Sequence, residues 1–242
     1  MKKLVFHTIN DLSEEVNESE ITRKNWLEPD YKFSTESLCG IDERKKVVAT
    51  DMLPYKAICK LYMKAANGKT YVGSGWLVSP TKLYTAGHCV FSHNSGGWKK
   101  RIIVIPAKSG LSEPYGRFEA IGLAAARGWI NKNSTRYDVG AIKLNTAVPI
   151  TDFIEPVVED ANRGEICGYP GDRDNGIFQY KMIDHLIKKQ GRFYYEADTY
   201  GGQSGGVLLK NRSQGIGIHN YGGCPNKASD LYESFIEEVK NW

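Results

Sequence analysis

The chain has 242 residues, 41% of them hydrophobic and 25% charged, and a formal net charge of +4. That balance fits an ordinary globular protein with one large domain or two small ones. No run approaches the ~18 consecutive apolar residues of a membrane span, and Leu4-Val5-Phe6 is too short for the apolar stretch of a secretory signal.

The first 37 residues hold five Lys/Arg against eight Asp/Glu, a net −3, which leaves +7 on residues 38–242. The acidic stretch is interrupted by Pro29 and is expected to be a leader or pro-segment with one helix around residues 11–27. A basic body suits acidic partners. Lys99-Lys100-Arg101 and Lys188-Lys189 are short and separated, however, so no nucleic-acid partner is expected, and no membrane partner either.

From Tyr55 the texture changes. Short apolar or alternating runs recur at 57–63, 70–78, 82–86, 101–107, 118–125, 138–144, 165–169, 178–187, 192–198, 206–210 and 215–219. Clusters of Gly, Asn, Ser and Pro separate them, the pattern of many short strands. So many strands exceed one small barrel. The expected fold is all-β: two packed six-stranded antiparallel β-barrels within 38–242, divided near residue 150, and a C-terminal helix. That helix is read over Ser229–Trp242, capped by Ser229, with Leu231, Phe235, Val239 and Trp242 on one stripe.

The five cysteines, Cys39, Cys59, Cys89, Cys167 and Cys224, include no Cys-x-x-Cys pair. His88, Cys89 and His93 fall near one another, but no second ligand pair accompanies them, so no metal and no cofactor is expected.

Chemistry concentrates in "TYGGQSGGVLL", residues 199–209, where glycines flank Ser204. A serine hydroxyl is a poor nucleophile near neutral pH and needs a general base, itself oriented by a carboxylate. The histidines are His7, His88, His93, His185 and His219. His88 follows Thr85-Ala86-Gly87 at a strand end, where small neighbours let the imidazole face a cleft. Asp138 opens the apolar run Asp-Val-Gly-Ala-Ile-Lys-Leu, which sets a carboxylate at the mouth of a strand. Gly202 to Gly206 also spell G-x-S-x-G, but the nucleophile elbow of α/β-hydrolases requires the order Ser, acid, His. Here His219 precedes Asp230 after the serine, which argues against that fold.

"TAGHC", "YDVGAIKL" and "GGQSGG", in the order His, Asp, Ser, resemble the chymotrypsin-like serine peptidases. With "PYKAIC", "GSGWLVSPTKLYTAGHCV", "VIPA", "GYPGD" and "GIHN", residues 38–242 are similar to the bacterial glutamyl endopeptidases, the V8-like branch. The resemblance implies Ser204 as nucleophile, His88 as general base and then acid, and Asp138 as the orienting carboxylate. It implies an oxyanion hole from the N–H groups of Gly202 and Ser204, and a glutamate-binding pocket lined by Thr199 and His219. A hydroxyl and an imidazole suit a carboxylate better than an apolar slot does. Asp198, just before Thr199, is the one feature that fits this pocket poorly.

Gln203 stands where trypsin-like digestive enzymes carry the aspartate that receives the activated N-terminus, so that route is excluded. The family's other route brings the freed α-amine to the specificity pocket. "LCGIDERKKV" resembles the mature start and implies cleavage close to Glu36-Ser37-Leu38, with a weakly active zymogen before it. Relatives that bridge the Cys89 position place the partner where Gly73 stands here; whether Cys59 substitutes and whether Cys39 stays free are left open by the sequence. The function implied is a serine endopeptidase cutting after Glu, less readily after Asp, through an acyl-enzyme. It would act on peptides and proteins as a secreted monomer. The rival readings are the same fold with another P1 preference, a narrow exfoliative-toxin-like enzyme, and a non-catalytic binding protein on a protease scaffold.

Overall fold

The computed structural model describes residues 1–21 and 38–242. In chain order its strands begin with β1 (Leu4–Thr8), β2 (Lys45–Lys46), β3 (Ile58–Lys64), β4 (Thr70–Ser79) and β5 (Lys82–Thr85). A four-residue helix α1 (Gly87–Val90) leads to β6 (Phe91–Ser92), β7 (Gly97–Trp98), β8 (Arg101–Pro106) and β9 (Phe118–Ala126), then α2 (Arg127–Lys132). The second half holds β10 (Gly140–Leu144), β11 (Glu155–Pro156), β12 (Arg163–Gly168), β13 (Tyr180–His185), β14 (Ile187–Lys189), β15 (Arg192–Tyr195), β16 (Val207–Leu209), β17 (Gln214–Tyr221), β18 (Asn226–Asp230) and α3 (Glu233–Lys240).

The first sheet runs β1-β9-β10-β5-β4-β3-β8, and β8 pairs back onto β9, so six strands close into an antiparallel barrel. Eight consecutive residues of β4 are buried. One face fills the barrel, and the second half of the molecule covers the other, so the strand reads as a continuous apolar run rather than an alternation. The second sheet runs β14-β15-β18-β17-β16-β12-β13-β2 with β11 beside β17, a half-barrel around Ile166, Phe193, Tyr195, Leu208 and Ile216. The larger core extends from the first barrel through Trp76 and Tyr84 to Tyr169, Val207 and Ile218, joining the halves. This is the mostly-β, chymotrypsin-like architecture expected from the sequence, with a half-barrel where a second closed six-stranded barrel was expected.

Three further details differ from the sequence reading. The start of the acidic segment is not separate from the barrel. β1 pairs with β9 from Leu4↔Ala126 to Thr8↔Gly122, and Leu4 and Ile9 are core residues. No α-helix occupies residues 11–21; the only helical turn there is a 3₁₀ turn at Glu18–Glu20, and residues 22–27 lie outside the described residues. Asp11 and Asn17 accept from the amides of Ser13 and Ser19, local bonds that compete with a helix. Val16 and Ile21 instead pack on Tyr62, Val72, Ile103 and Ile105. Third, the C-terminal helix begins at Glu233, because Asn226–Asp230 forms a strand between β15 and β17. Ser229 sits in that strand with its amide on Asn220 Oδ1, so it caps nothing. Phe235 and Val239 are buried as the stripe required.

Candidate active site

β5 delivers the chain into α1, which carries His88, and β10 starts just beyond Asp138. Gly140 pairs with Thr85, so these two strand ends lie side by side in the barrel wall. Asp138 is fully buried and uses both carboxylate oxygens on one residue. Oδ1 accepts from the His88 amide at 2.8 Å, and Oδ2 lies 2.8 Å from His88 Nδ1. Burial pushes the imidazole pKa down, but the adjacent Asp138 charge more than offsets it and holds His88 well above its ordinary value. Asn220 Nδ2 donates to the Asp138 backbone carbonyl at 2.6 Å and fixes the loop from the other half of the molecule. The Trp129 ring stands 6.4 Å from the His88 ring on one side, and the Tyr221 ring 6.4 Å away on another.

Ser204 sits in a loop tied to both halves. Its carbonyl accepts from the Ser74 amide at 2.8 Å and from Cys89 Sγ at 3.6 Å, directly beside His88. Ser74 Oγ donates to the Gly202 carbonyl at 2.8 Å and accepts from the Tyr169 amide at 2.9 Å. The amides of Gln203, Gly205 and Gly206 are spent on the carbonyls of Tyr200, His219 and Gln203. Those of Gly202 and Ser204 donate to nothing among the described residues. The glycines on either side have φ of +97° at Gly202 and +86° at Gly205, where a side chain is strained. A Cβ at Gly202 would also stand 2.6 Å from the Tyr169 carbonyl. Gln203 closes the loop on itself, its Oε1 accepting from the Tyr200 amide at 2.9 Å.

β17 places His219 behind this loop, its backbone paired with Gly205 and Gly206. His219 is 1% exposed, and its Nδ1 lies 2.5 Å from the Tyr195 hydroxyl. Burial, and after it the charge of His88, pushes the His219 pKa down to about 3, so the ring is neutral at neutral pH. Burial drives the Tyr195 pKa upward and keeps it a phenol. A hydrogen bond from the His219 ring to the Lys227 backbone pushes the His219 pKa the other way, upward, but does not offset the burial. Thr199 is fully buried, and its Oγ1 has no hydrogen-bond partner among the described residues. Asp198 is already engaged, its oxygens accepting from the amides of Cys39 at 2.7 Å and Glu43 at 3.1 Å.

Residues 54–242 match the Trypsin family. The chain belongs to the trypsin family of serine endopeptidases. A Glutamyl endopeptidase of Bacillus licheniformis is 30% identical over 87% of this chain and 70% of its own length. A Bacillus subtilis protein named Extracellular metalloprotease is 33% identical over 85% of this chain and 69% of its own. A solved Glu endopeptidase covers 85% of this chain and 98% of its own at 28% identity, with a TM-score of 0.74. These likenesses put the chain in the glutamyl endopeptidase branch of the trypsin family, as the motifs implied. The name of the Bacillus subtilis relative carries a metal. Among the described residues here, no three His, Cys, Asp or Glu side chains converge as metal ligands.

The pairing that the sequence left open is Cys39–Cys224 in this trypsin-family chain, while Cys59, Cys89 and Cys167 are buried thiols. Cys59 does not bridge Cys89, because its sulfur turns to the Ala57 carbonyl and that of Cys89 to Ser204. His93 is a wall residue, with Nε2 2.8 Å from the Ile130 carbonyl and its ring on Trp129. His7 stacks on Trp98, and His185 is exposed. The sequence reading missed Tyr195 and Asn220. Asn220 was in view within "GIHN", but nothing local marked it as the support of a carboxylate 82 residues away.

Proposed function

We propose that this serine endopeptidase cuts after glutamate. Ser204 Oγ attacks the scissile carbonyl carbon as His88 Nε2 takes the hydroxyl proton. Asp138 holds Nδ1 and stabilises the imidazolium that forms. The oxyanion is received by the N–H groups of Gly202 and Ser204, which donate to nothing among the described residues. The C–N bond then breaks as His88 returns the proton to the leaving amine. Water repeats the sequence on the acyl-enzyme, releasing the carboxylate and restoring Ser204.

The pocket carries the specificity reading. Thr199 offers a buried hydroxyl with no partner among the described residues, and His219 a neutral imidazole. Both can donate to a P1 carboxylate, and the nearest acidic neighbour, Asp198, is spent on the backbone of Cys39 and Glu43. The same anchor supports activation near Glu36-Ser37-Leu38. A new N-terminus there lies within a few residues of Cys39, so its α-amine can reach the pocket wall and add a positive charge. The cleavage positions Glu36 and Ser37 lie outside the described residues. Export is the matching reading of location, supported by the Cys39–Cys224 disulfide, which suits an oxidising compartment. Mass spectrometry of a mixed-protein digest tests this: the matured chain should cut after Glu, and Ser204→Ala should cut nothing. A digest without Glu enrichment ends the specificity reading.

A further inference from the structure

A second basic feature borders the cleft, built by two hairpin and loop tips that come from different halves of the fold. Ser134, Thr135 and Arg136 precede Asp138, and Gln190, Arg192 and Tyr194 belong to the β14–β15 hairpin; together they line a cavity of about 520 Å³. The hairpin turns at Gln190 and Gly191 with φ of +52° and +73°, the mirror-image turn that suits the twist of paired strands. Arg136 lies against this turn so closely that a Cβ on Gly191 would stand 2.5 Å from its Nε. The Arg192 guanidinium lies 5.5 Å over the Tyr221 ring, and the other neighbour of that ring is His88, at 6.4 Å. Those two separations bound the reach from His88 to Arg192 at about 12 Å, roughly three to four extended residues.

The charges there are not neutralised from within. No carboxylate lines the cavity, and Arg192 Nη2 is buried without a hydrogen-bond acceptor among the described residues. The nearby Asp230 is taken by Lys188 at 3.3 Å. Lys227 sits close enough that, after burial, the Arg192 charge depresses its pKa further. A buried guanidinium nitrogen without an acceptor is costly, and the planar fork of arginine matches a carboxylate.

We propose that Arg136 and Arg192 form a second acid-binding subsite, which takes an Asp or Glu side chain of the substrate two to four residues from the cut bond. The subsite rests on the reading of Ser204 as the nucleophile, since that fixes where the peptide lies. It makes the enzyme a reader of acidic stretches rather than of a single glutamate, and it gives the surplus positive charge of the body a use.

The test uses peptides with one Glu before the cut and, at each of the four positions on either side, Glu or its neutral isostere Gln. The wild-type matured chain should favour the acid at one position by about fivefold or more in kcat/KM, and salt should erode that preference. Arg192→Gln and Arg136→Gln should each reduce it and together abolish it, leaving turnover of the all-neutral peptide within about twofold. Equal rates for Glu and Gln at every position, or a preference that survives the double substitution, overturn the subsite. If another residue proves to be favoured at P1, the same flanking comparison is made with that residue there. If nothing is cut, anisotropy of labelled peptides on Ser204→Ala protein reads the preference as binding. The subsite and the catalytic reading therefore fail separately.

Discussion

In the first barrel, the Asp138 carboxylate has one oxygen on the His88 amide and the other on its ring. Across the cleft, in the second half, the Gly202 and Ser204 amides and the Thr199 hydroxyl are buried or enclosed with nothing to bond among the described residues. The first region is a finished device, held by a closed barrel and fully paired. On the proposed reading, the second is a receptor whose donors await an oxyanion and a carboxylate. Buried polar groups are ordinarily satisfied, so the unspent ones mark where the ligand completes the structure. The division has a physical logic: a base must keep one orientation throughout the cycle, while stabilising donors act best when the transition state is the first partner that fits them.

Removing the base, its carboxylate or the serine they serve should cost most. Ser204→Ala or His88→Ala should lower kcat by about a millionfold, and Asp138→Asn by about ten-thousandfold through the wrong imidazole tautomer. Each is measured on a peptide substrate beside an unchanged circular dichroism spectrum. Because Asp138 raises the His88 pKa and the base must be neutral, activity should rise with pH through that pKa. The rising limb should move to lower pH in Asp138→Asn. An unmoved limb would mean that another group governs it.

The barrel's rigidity also depends on the segment expected to be a mere leader. Deleting residues 1–9 bares the edge of β9 and removes the buried Leu4 and Ile9 side chains, about 3–6 kcal/mol together. It also removes the Lys3 and Met1 carbonyls that receive the Arg127 and Gly128 amides, next to the Trp129 that walls His88. A melting temperature lower by on the order of 10 °C is expected. An unchanged melt would show that the closed six strands hold the base unaided.

What the sequence revealed follows the same contrast. His88, Asp138 and Ser204 each sit in a short local pattern, small residues before a histidine or glycines around a serine, because close packing and positive φ leave traces in neighbouring positions. Partnerships made only by the folded chain leave none. Cys39 and Cys224 are 185 residues apart, and Tyr195 reaches His219 from a neighbouring region of the sheet. Arg136 meets the Gly191 turn from the other half of the fold. β1 was hidden for a different reason: five residues of strand inside an acidic segment are outvoted by its composition.

On the receptor side the effects should be smaller and confined to glutamate. Thr199→Val keeps the shape and removes the buried hydroxyl, so it should reduce kcat/KM for a Glu peptide on the order of a hundredfold relative to a Gln peptide. A similar loss for both peptides would make Thr199 a packing residue instead.

The last expected effect is on stability, and it separates the two histidines by sign. His219 has its folded pKa pushed down to about 3, so below its unfolded value of 6.5 the unfolded chain binds a proton that the folded chain refuses. Stability should therefore fall as pH drops from 6.5 towards 3, by about 1.4 kcal/mol per unit for one such group. His88 is raised, so its contribution is fully present below 6.5 and is lost only as pH climbs through its folded pKa; it adds no slope in the acid window. His7 is lowered as well, but it is only partly buried and adds less. Urea melts between about pH 6.5 and 5.5, above the range where most carboxylates titrate, isolate this limb. His219→Gln should flatten most of it and His88→Gln almost none. An acid limb that persists without His219 would mean that water or a polar group reaches the ring. The neutral imidazole proposed for the pocket would then be wrong.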